Sequence, residues 1–229
     1  PFFFSSNALK QVGYLTIELK KVYRQQDEQF ISLLNQIREN KASEATLQAL
    51  NQRYIPNFVP PKEGNYIRLT THNAPAQYIN EQQLAALPAQ SFSFTAEIEG
   101  DFPETSYPAD FKLTLKPGAQ VMFIKNDPQH RFYNGMIGEV IGVRTDEDGS
   151  KITVRSKDSG EEFDLEKMEW TNAKYTLNEK TKEIEETVEG KFMQYPLRLA
   201  WAITIHKSQG LTFEHAIIDA SAAFSHGQV

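Results

Sequence analysis

The 229-residue chain contains no cysteine and no long apolar run. Without cysteine there is neither a disulfide framework nor a thiolate metal site. No stretch approaches the roughly eighteen consecutive apolar residues that a membrane-spanning helix requires, so we expect no membrane span. The first residues also lack the basic and apolar parts of a secretory signal peptide. These absences are compatible with a cytoplasmic location, which is our expectation for this protein.

The formal net charge of −6 is concentrated in one segment. Residues 146–189 contain 14 acidic and 7 basic side chains, whereas the rest of the chain has 16 acidic and 17 basic ones. An acidic surface disfavours nucleic acid as a partner only where the acidity lies. Phosphate binding therefore remains open for the rest of the chain.

Neither end of the chain carries a clear start or stop signal. The sequence begins Pro1-Phe2-Phe3-Phe4 without an initiator methionine, and its last five residues lack a helix cap or a charged tail. We expect both ends to be boundaries within a longer protein.

Helices are predicted in the first part of the chain. Residues 27–38 place Phe30, Ile31, Leu34 and Ile37 on one apolar face at helical spacing. Residues 43–53 predict a second helix, with Ser43 as its N-cap and with Leu47 and Leu50 facing inward.

A strand, a turn and a helix are predicted next. Residues 66–70 form the strand, and a helix follows from Asn73, a candidate N-cap, to about residue 87. Near the end of the chain, residues 199–204 and 216–219 have the composition of buried strands in a parallel sheet. Polar groups that follow such strands lie at the carboxyl edge of the sheet, where ligands bind.

The middle of the chain has a different pattern. Short apolar runs at residues 121–124, 136–143 and 152–154 are separated by turn pairs such as Asn134-Gly135. This spacing predicts a small β-barrel, and the charged residues 180–190 predict either a hairpin arm or an exposed connection. We expect an α/β fold with a parallel sheet, interrupted by this barrel.

The segment TIHKSQG, residues 204–210, carries the most chemistry. It follows a predicted buried strand and brings hydroxyl, imidazole, ammonium and amide donors to one turn, which suits phosphate oxygens. Gly210 has no Cβ and allows close approach of a phosphate to the backbone. Composition alone favours an ordinary polar turn over a phosphate site.

Several segments together resemble superfamily 1B helicases of the Pif and RecD group. They are TIHKSQG followed by LTFEHAIID, the earlier VYRQQDEQFISLLNQIR and TTHNAPAQYINEQQLAAL, and LKPGAQVMFIKND with the later NGMIGEVIGV. The resemblance covers the whole chain. It implies a second RecA-like domain formed by residues 1–107 and 191–229, with an SH3-like barrel inserted at residues 108–190.

The resemblance also implies roles for individual residues. Arg24 would be an arginine that neutralises charge on the γ-phosphate of ATP; the alternative is an exposed arginine paired with Asp27 or Glu28. Gln25, Gln209 and Gly210 would lie beside it at the nucleotide.

The same family places single-stranded DNA against a second group of residues. Thr204, His206 and Ser208 would contact DNA phosphates, although a packed histidine is the ordinary interpretation of a lone His206. Thr71 and Asn73 would hold a further phosphate at a helix start, unless Asn73 is only a cap.

The sequence lacks the phosphate loop G-x-x-x-x-G-K-[ST] and a Mg²⁺-binding acidic motif. We therefore expect ATP and Mg²⁺ to act only together with an N-terminal RecA-like domain, and this chain alone to be inactive. A final motif with another arginine is expected beyond Val229. We expect a monomer, and the resemblance implies that the whole protein moves 5′ to 3′ on single-stranded DNA.

Two other functions stay open from the sequence. One is a non-catalytic module in which the barrel binds a protein or DNA. The other is a hydrolase that uses Ser208, His206 and Asp219, although no nucleophile elbow is present and the histidines do not have metal-site spacing.

Overall fold

A computed structural model describes residues 3–18, 25, 27–61, 64–146, 149–179 and 181–224 of the chain. The chain divides into two compact units, Pro1–Val59 and Pro60–Val229. In the described part of the chain, none of the helices combines the length and the apolar composition that a membrane span needs.

The first unit is helical. After a 3₁₀ turn at Phe3–Ser5 come α1 (Asn7–Gln11), α2 (Glu28–Arg38) and α3 (Glu44–Asn51). The Asp27 carboxylate accepts a hydrogen bond from the Phe30 amide and caps α2. Ser43 caps α3 in a reciprocal arrangement with Thr46, in which each side chain accepts from the other residue's amide. Both predicted helices and the predicted Ser43 cap are confirmed.

The inward orientation predicted for Leu47 is wrong. Its side chain is 47% exposed, whereas Thr46, one position earlier, is 3% exposed. The apolar residues of α2 also remain partly exposed, Leu34 at 45%. The physical reason is that two short helices within this unit cannot cover both of their apolar faces.

The second unit contains the strands and two further helices. In chain order its elements are β1 (Ile67–Thr70), α4 (Asn73–Ala86), β2 (Phe92–Thr95), β3 (Glu97–Gly100), a 3₁₀ turn (Glu104–Ser106), β4 (Lys112–Leu115), β5 (Gln120–Phe123), β6 (Ile137–Asp146), β7 (Gly149–Ser156), β8 (Glu162–Leu165), β9 (Met168–Leu177), β10 (Ile184–Gln194), β11 (Leu197–Leu199), β12 (Ala202–Thr204), α5 (Ile205–Ser208) and β13 (Ala216–Asp219).

Three strands form a parallel sheet in the order β12-β1-β13. Thr70 at the end of β1 lies opposite Thr204 of β12 and Asp219 of β13. Helix α4 packs on β1 and β12. The expected α/β fold with a parallel sheet is confirmed, but β13 is an edge strand and Ile218 is 62% exposed, so the prediction that β13 is buried is wrong.

The prediction of one strand over residues 199–204 is also wrong. Strand β11 pairs antiparallel with β5, whereas β12 pairs parallel with β1, so the chain changes sheets at Ala200 and Trp201. The Gln120 side chain donates to the Ala200 carbonyl at 2.9 Å, and the Ala200 amide donates to the Gln120 carbonyl at 3.0 Å. These two bonds hold the crossover in place. Trp201 is partly buried and packs against the adjacent core.

The other strands are antiparallel. A five-stranded sheet has the order β11-β5-β6-β7-β8, a three-stranded sheet has the order β3-β10-β9, and β2 pairs with β4. Strands predicted around residues 121–124, 136–143 and 152–154 are therefore confirmed. The main apolar core lies against these strands and includes Phe123, Val140, Ile152, Val154 and Leu197, each fully buried.

Strands β9 and β10 form a long hairpin, which confirms one of the two predicted structures for residues 180–190. The register of the hairpin shifts between Val188 and Gly190. At this bulge the Asp101 amide donates to the Glu189 carbonyl at 2.9 Å. A Cβ on Gly190 would lie only 2.2 Å from the Asp101 carbonyl oxygen, so this close backbone crossing requires glycine.

Replacing Gly190 with alanine should destabilise the second unit. The added methyl group would force two backbones apart, and overpacking of this kind costs about 1–3 kcal/mol. Gly142→Ala is the matched control, because a Cβ there meets no atom within 4 Å. Urea unfolding should show a lower midpoint for Gly190→Ala and an unchanged or slightly higher one for Gly142→Ala. Equal midpoints would show that the crossing does not constrain the bulge.

Candidate functional site

The carboxyl ends of the three parallel strands lie side by side. Thr70, Thr204 and Asp219 end neighbouring strands in register, and the chain continues from β1 into α4 and from β12 directly into α5. We call this region the carboxyl edge. In open α/β sheets it is the usual place for a ligand.

The turn between β1 and α4 supplies polar groups to this edge. The Thr70 hydroxyl donates to the His72 carbonyl at 2.9 Å, and the Thr71 hydroxyl lies 2.8 Å from Nδ1 of His72. His72 occupies the N-cap position without a side-chain cap bond, and Asn73 is the first helical residue. The prediction that Asn73 caps α4 is therefore wrong, and its exposed side chain is available for other contacts.

The motif TIHKSQG forms the end of β12 and the short helix α5. The Thr204 hydroxyl accepts from the Lys207 amide at 3.4 Å and caps α5. Ser208 donates its hydroxyl proton to the Ile205 carbonyl at 2.7 Å, so this hydroxyl is available to a ligand as an acceptor while that bond is made. Gly210 ends the motif with φ of +82°, a conformation that favours glycine.

Asn80 of α4 fixes the position of β12. Its Oδ1 accepts from the Ala202 amide at 2.9 Å, and its Nδ2 donates to the Ala202 carbonyl at 2.8 Å. The side chain thus replaces a neighbouring strand along the outer side of β12. Because Thr204 is only two residues further on, this contact also positions the carboxyl edge.

Three aromatic rings meet at the edge. Phe224 lies 5.1 Å from the His72 ring and 6.4 Å from the His206 ring, in the second case nearly stacked. Phe224 is 67% exposed, and His206 is exposed too. Exposed aromatic faces of this kind suit the stacking of nucleic-acid bases.

Charge is distributed unevenly along the edge. Hydrogen bonds from Ser221 hold the pKa of Asp219 below its ordinary value, and the charge of Arg68 acts in the same direction. The β13 corner is therefore negative at neutral pH. On the β12 side, Lys207 and Arg198 supply positive charge, so an anion is favoured near β12 and disfavoured near β13.

A cleft of about 700 Å³ opens beside the edge. We call it the basic cleft, because its charged residues are Lys112, Lys116, Arg198 and Lys207 against Glu81 and Asp110. Its walls come from α4, from β4 with Asp110 before it and Lys116 after it, and from β11, β12 and α5. The lining residues are Asn73, Ala76, Gln77, Asn80, Glu81, Leu84, Ala85, Asp110, Lys112, Thr114, Lys116, Arg198, Leu199, Ala202, Ile203, Thr204 and Lys207.

The structure brings together one of the two predicted groups of site residues. Thr71, Asn73, Thr204, His206 and Ser208 all lie along or next to the carboxyl edge. The structure supports no arrangement of a hydrolase triad, since among the described residues no hydrogen bond joins His206 to Ser208 or to Asp219.

The predicted nucleotide contacts are less completely described. Arg24 lies outside the described residues. Gln25 is exposed in the first unit, where its Oε1 accepts from the Asp27 amide at 3.2 Å. Gln209 and Gly210 are exposed at the end of α5. Among the described residues, no three side chains of the metal-binding types form a cluster that would hold a cation.

No protein-family model matches the chain. The ATP-dependent DNA helicase Pif1 of Psychrobacter sp. (strain PRwf-1) is 35% identical to it over 279 residues, which cover 99% of this chain and 41% of that protein. The homologues of this chain are Pif1-family ATP-dependent DNA helicases. The chain spans less than half the length of the Psychrobacter Pif1.

Solved Pif1 structures share the fold. Bacteroides sp Pif1 in complex with ADP-AlF4 matches 99% of this chain and 51% of its own chain, with 38% identity and a TM-score of 0.84. Bacteroides Pif1 bound to single-stranded DNA matches with the same identity and coverage and a TM-score of 0.65. The RecA-like helicase fold of these Pif1 proteins is therefore the fold to which this chain is similar.

Several residues of the edge were missed by sequence reasoning. Lys207 lies inside the TIHKSQG motif that resembles Pif1, so the motif itself contained that signal. Asn80 and Lys112 are distant in sequence from the motif, while Arg198 and Phe224 lie outside it on either side, and the folded chain brings all four to it. No local pattern identifies them.

Replacing Asn80 with leucine should loosen β12 in this Pif1 homologue. The Ala202 amide and carbonyl would lose their partners, which costs about 1–3 kcal/mol for a buried group. Amide hydrogen exchange at residues 202–205 should become faster, and the unfolding midpoint in urea should fall. Gln77→Leu, one turn earlier on α4, loses only an exposed bond to Glu81 and should leave both measurements unchanged. If Asn80→Leu behaves like Gln77→Leu, Asn80 does not fix the strand.

Proposed function

We propose that this chain is part of the motor of an ATP-dependent DNA helicase and forms its second RecA-like domain. One observation carries the proposal: the Pif1-like motif TIHKSQG places phosphate-binding groups beside those of the β1-α4 turn at a single sheet edge. We infer the activity from the Pif1 homologues, which are ATP-dependent DNA helicases.

Single-stranded DNA is the proposed ligand of the carboxyl edge. Thr204 and His206 donate to phosphate oxygens from the α5 side. Ser208 donates to a phosphate oxygen only when its hydroxyl proton leaves the Ile205 carbonyl. Thr71 and Asn73 bind a further phosphate at the start of α4, where amides are directed outward. The exposed rings of Phe224 and His206 are suited to stack on a base. A Bacteroides Pif1 structure contains single-stranded DNA, which supports this choice.

The proposed nucleotide is ATP with Mg²⁺, bound between this domain and an N-terminal RecA-like domain. A Bacteroides Pif1 complex with ADP-AlF4 supports this assignment. The family resemblance assigns Arg24 and Gln25 to the γ-phosphate of this nucleotide, and it assigns Gln209 and Gly210 to the coupling of the nucleotide with DNA. We assign no Mg²⁺ ligand among the described residues. In this proposal the whole protein is a monomer, and the family resemblance implies movement from 5′ to 3′.

We assign β4 to β9 and most of β10 to the proposed SH3-like insert at residues 108–190, whereas β2, β3 and β11 lie outside these bounds. Support comes from the five-stranded sheet, in which consecutive strands from β5 to β8 pair as neighbours around a common apolar core. The RecA-like domain then comprises residues 1–107 and 191–229. Strand β11 connects the two, because it pairs with β5 just before the chain enters the parallel sheet.

Replacing the edge groups should weaken DNA binding. Loss of a hydrogen bond to a charged phosphate costs about 1.5–3 kcal/mol, so Thr204→Val and His206→Ala should each raise the Kd for oligo(dT) about 10-fold or more. Fluorescence anisotropy at fixed salt measures this change. Thr176→Val, on the exposed strand β9, is the control and should bind like the wild type. Unchanged binding by both edge variants would exclude this edge as the DNA site.

Replacing Arg24 with alanine should abolish most ATP hydrolysis in the complete gene product. An arginine at the γ-phosphate contributes about 10³- to 10⁵-fold to the rate. Arg53→Ala, another arginine of the first unit, is the control. The DNA-stimulated ATPase rate should fall only for Arg24→Ala, while oligo(dT) binding persists. A normal rate in Arg24→Ala would remove Arg24 from the reaction.

A further inference from the structure

The basic cleft is directly continuous with the carboxyl edge. Asn73 and Thr204 belong to both, and the lining then follows α4 as far as Ala85. Twelve residues of helix separate Asn73 from Ala85, about 18 Å at the helical rise. The cleft is therefore long enough for several phosphates of a strand that leaves the edge.

The charge of the cleft is opposite to that of the protein. Four cations and two carboxylates line it, whereas the whole chain has a net charge of −6. Lys112, Arg198 and Lys207 form no salt bridge with any residue that the structure describes. Their positive charge is available to a ligand in the cleft.

The cations lie close enough to affect one another. Partial burial lowers the pKa of Lys207, and the charge of Arg198 lowers it further, while Asp110 opposes both effects. Arg198 is held in place by a hydrogen bond from Nη2 to the Pro108 carbonyl at 3.1 Å. Two like charges kept together in a partly buried site are stabilised by an anion.

We propose that the basic cleft binds consecutive phosphates of the DNA strand that crosses the carboxyl edge, with Lys112, Arg198 and Lys207 as the contacting cations. This inference rests on the proposed function and extends it from the edge to a second tract of the same strand. Lys112 belongs to β4 and Arg198 to β11, so strands of the antiparallel part contribute to the DNA path.

A flexible single strand is the polyanion that fits this arrangement. Its backbone follows a cationic groove without sequence readout, and the cleft presents charges together with the Thr114 hydroxyl. The negative Asp219 corner directs the strand away from β13 and toward the cleft. The phosphates of a free nucleotide could bind the same cations. Competition between oligo(dT) and ATP without Mg²⁺ distinguishes DNA phosphates from nucleotide phosphates as the ligand of the cleft.

The test compares the salt dependence of oligo(dT) binding by the complete gene product. Each phosphate contact contributes about 0.7 to the slope of log K against log salt for single strands. The double variant Lys112→Gln/Lys207→Gln should reduce the slope of log K against log salt by about 1.4 and weaken oligo(dT) binding about 25-fold at 0.1 M salt. Lys112→Gln alone, an exposed substitution that leaves the fold unchanged, should reduce the slope by about 0.7.

Two references make the outcomes distinguishable. Arg144→Gln with Lys174→Gln removes the same charge from exposed strand positions and should leave the slope unchanged. Thr204→Val should weaken binding without changing the slope, because it removes no charge.

If the wild type does not bind oligo(dT), the proposed function itself fails. If the wild type binds, Thr204→Val weakens binding and the cleft variants behave like the Arg144 and Lys174 control, only the cleft assignment is overturned. Displacement of oligo(dT) by equimolar ATP, lost in the cleft variants, would also overturn it in favour of a nucleotide site.

Discussion

The parallel pairing of β1 with β12 is the constraint on which the site depends. These strands are separated by more than 130 residues in sequence, yet Thr70 and Thr204 lie opposite each other. Because parallel strands end at the same side of a sheet, this register brings the β1-α4 turn and the TIHKSQG motif together. A shift by one residue would direct Thr204 to the other face of the sheet. Asn80 opposes such a shift by occupying both backbone groups of Ala202.

The antiparallel part is joined to this register by its own contacts. Gln120 of β5 bonds to Ala200 and to the Tyr66 carbonyl, one residue before β1. A separate apolar cluster contains Ile67 of β1, Met122 of β5, Ile137 of β6 and Ile203 of β12. The parallel and antiparallel sheets therefore share a core. Leu113 and Leu115 of β4 and Leu197 of β11 belong to the main apolar core together with Leu84 of α4, and this packing places the cations of β4 and β11 beside the parallel sheet.

Much of the fold could be predicted from local patterns, because those patterns depend on short-range physics. The cap at Ser43, the helix over residues 73–86 and the hairpin strands follow from spacing and turn residues alone. The division of residues 199–204 between two sheets could not be predicted, because an apolar run has the same composition in either sheet. The hydrogen bond from the buried Gln120 to Ala200 fixes the point at which the chain changes sheets, and Gln120 lies 80 positions away in sequence.

The site shows the same division between local and distant information. The motif resemblance named Thr204, His206 and Ser208 because they lie within one short segment of the sequence, and it named Thr71 and Asn73 for a similar reason. It could not indicate that Ser208 donates its proton to Ile205, that Phe224 meets His206, or that Lys112 and Arg198 flank Lys207. These facts depend on the packing of elements that no short pattern connects.

Hydrogen–deuterium exchange of the complete gene product, with and without oligo(dT), tests the central claim most directly. If the carboxyl edge binds the strand, amides of residues 71–75 and 204–210 should exchange more slowly when DNA is bound, while the β9-β10 hairpin should be unaffected. Protection elsewhere on the protein, with none at these two segments, would contradict the account.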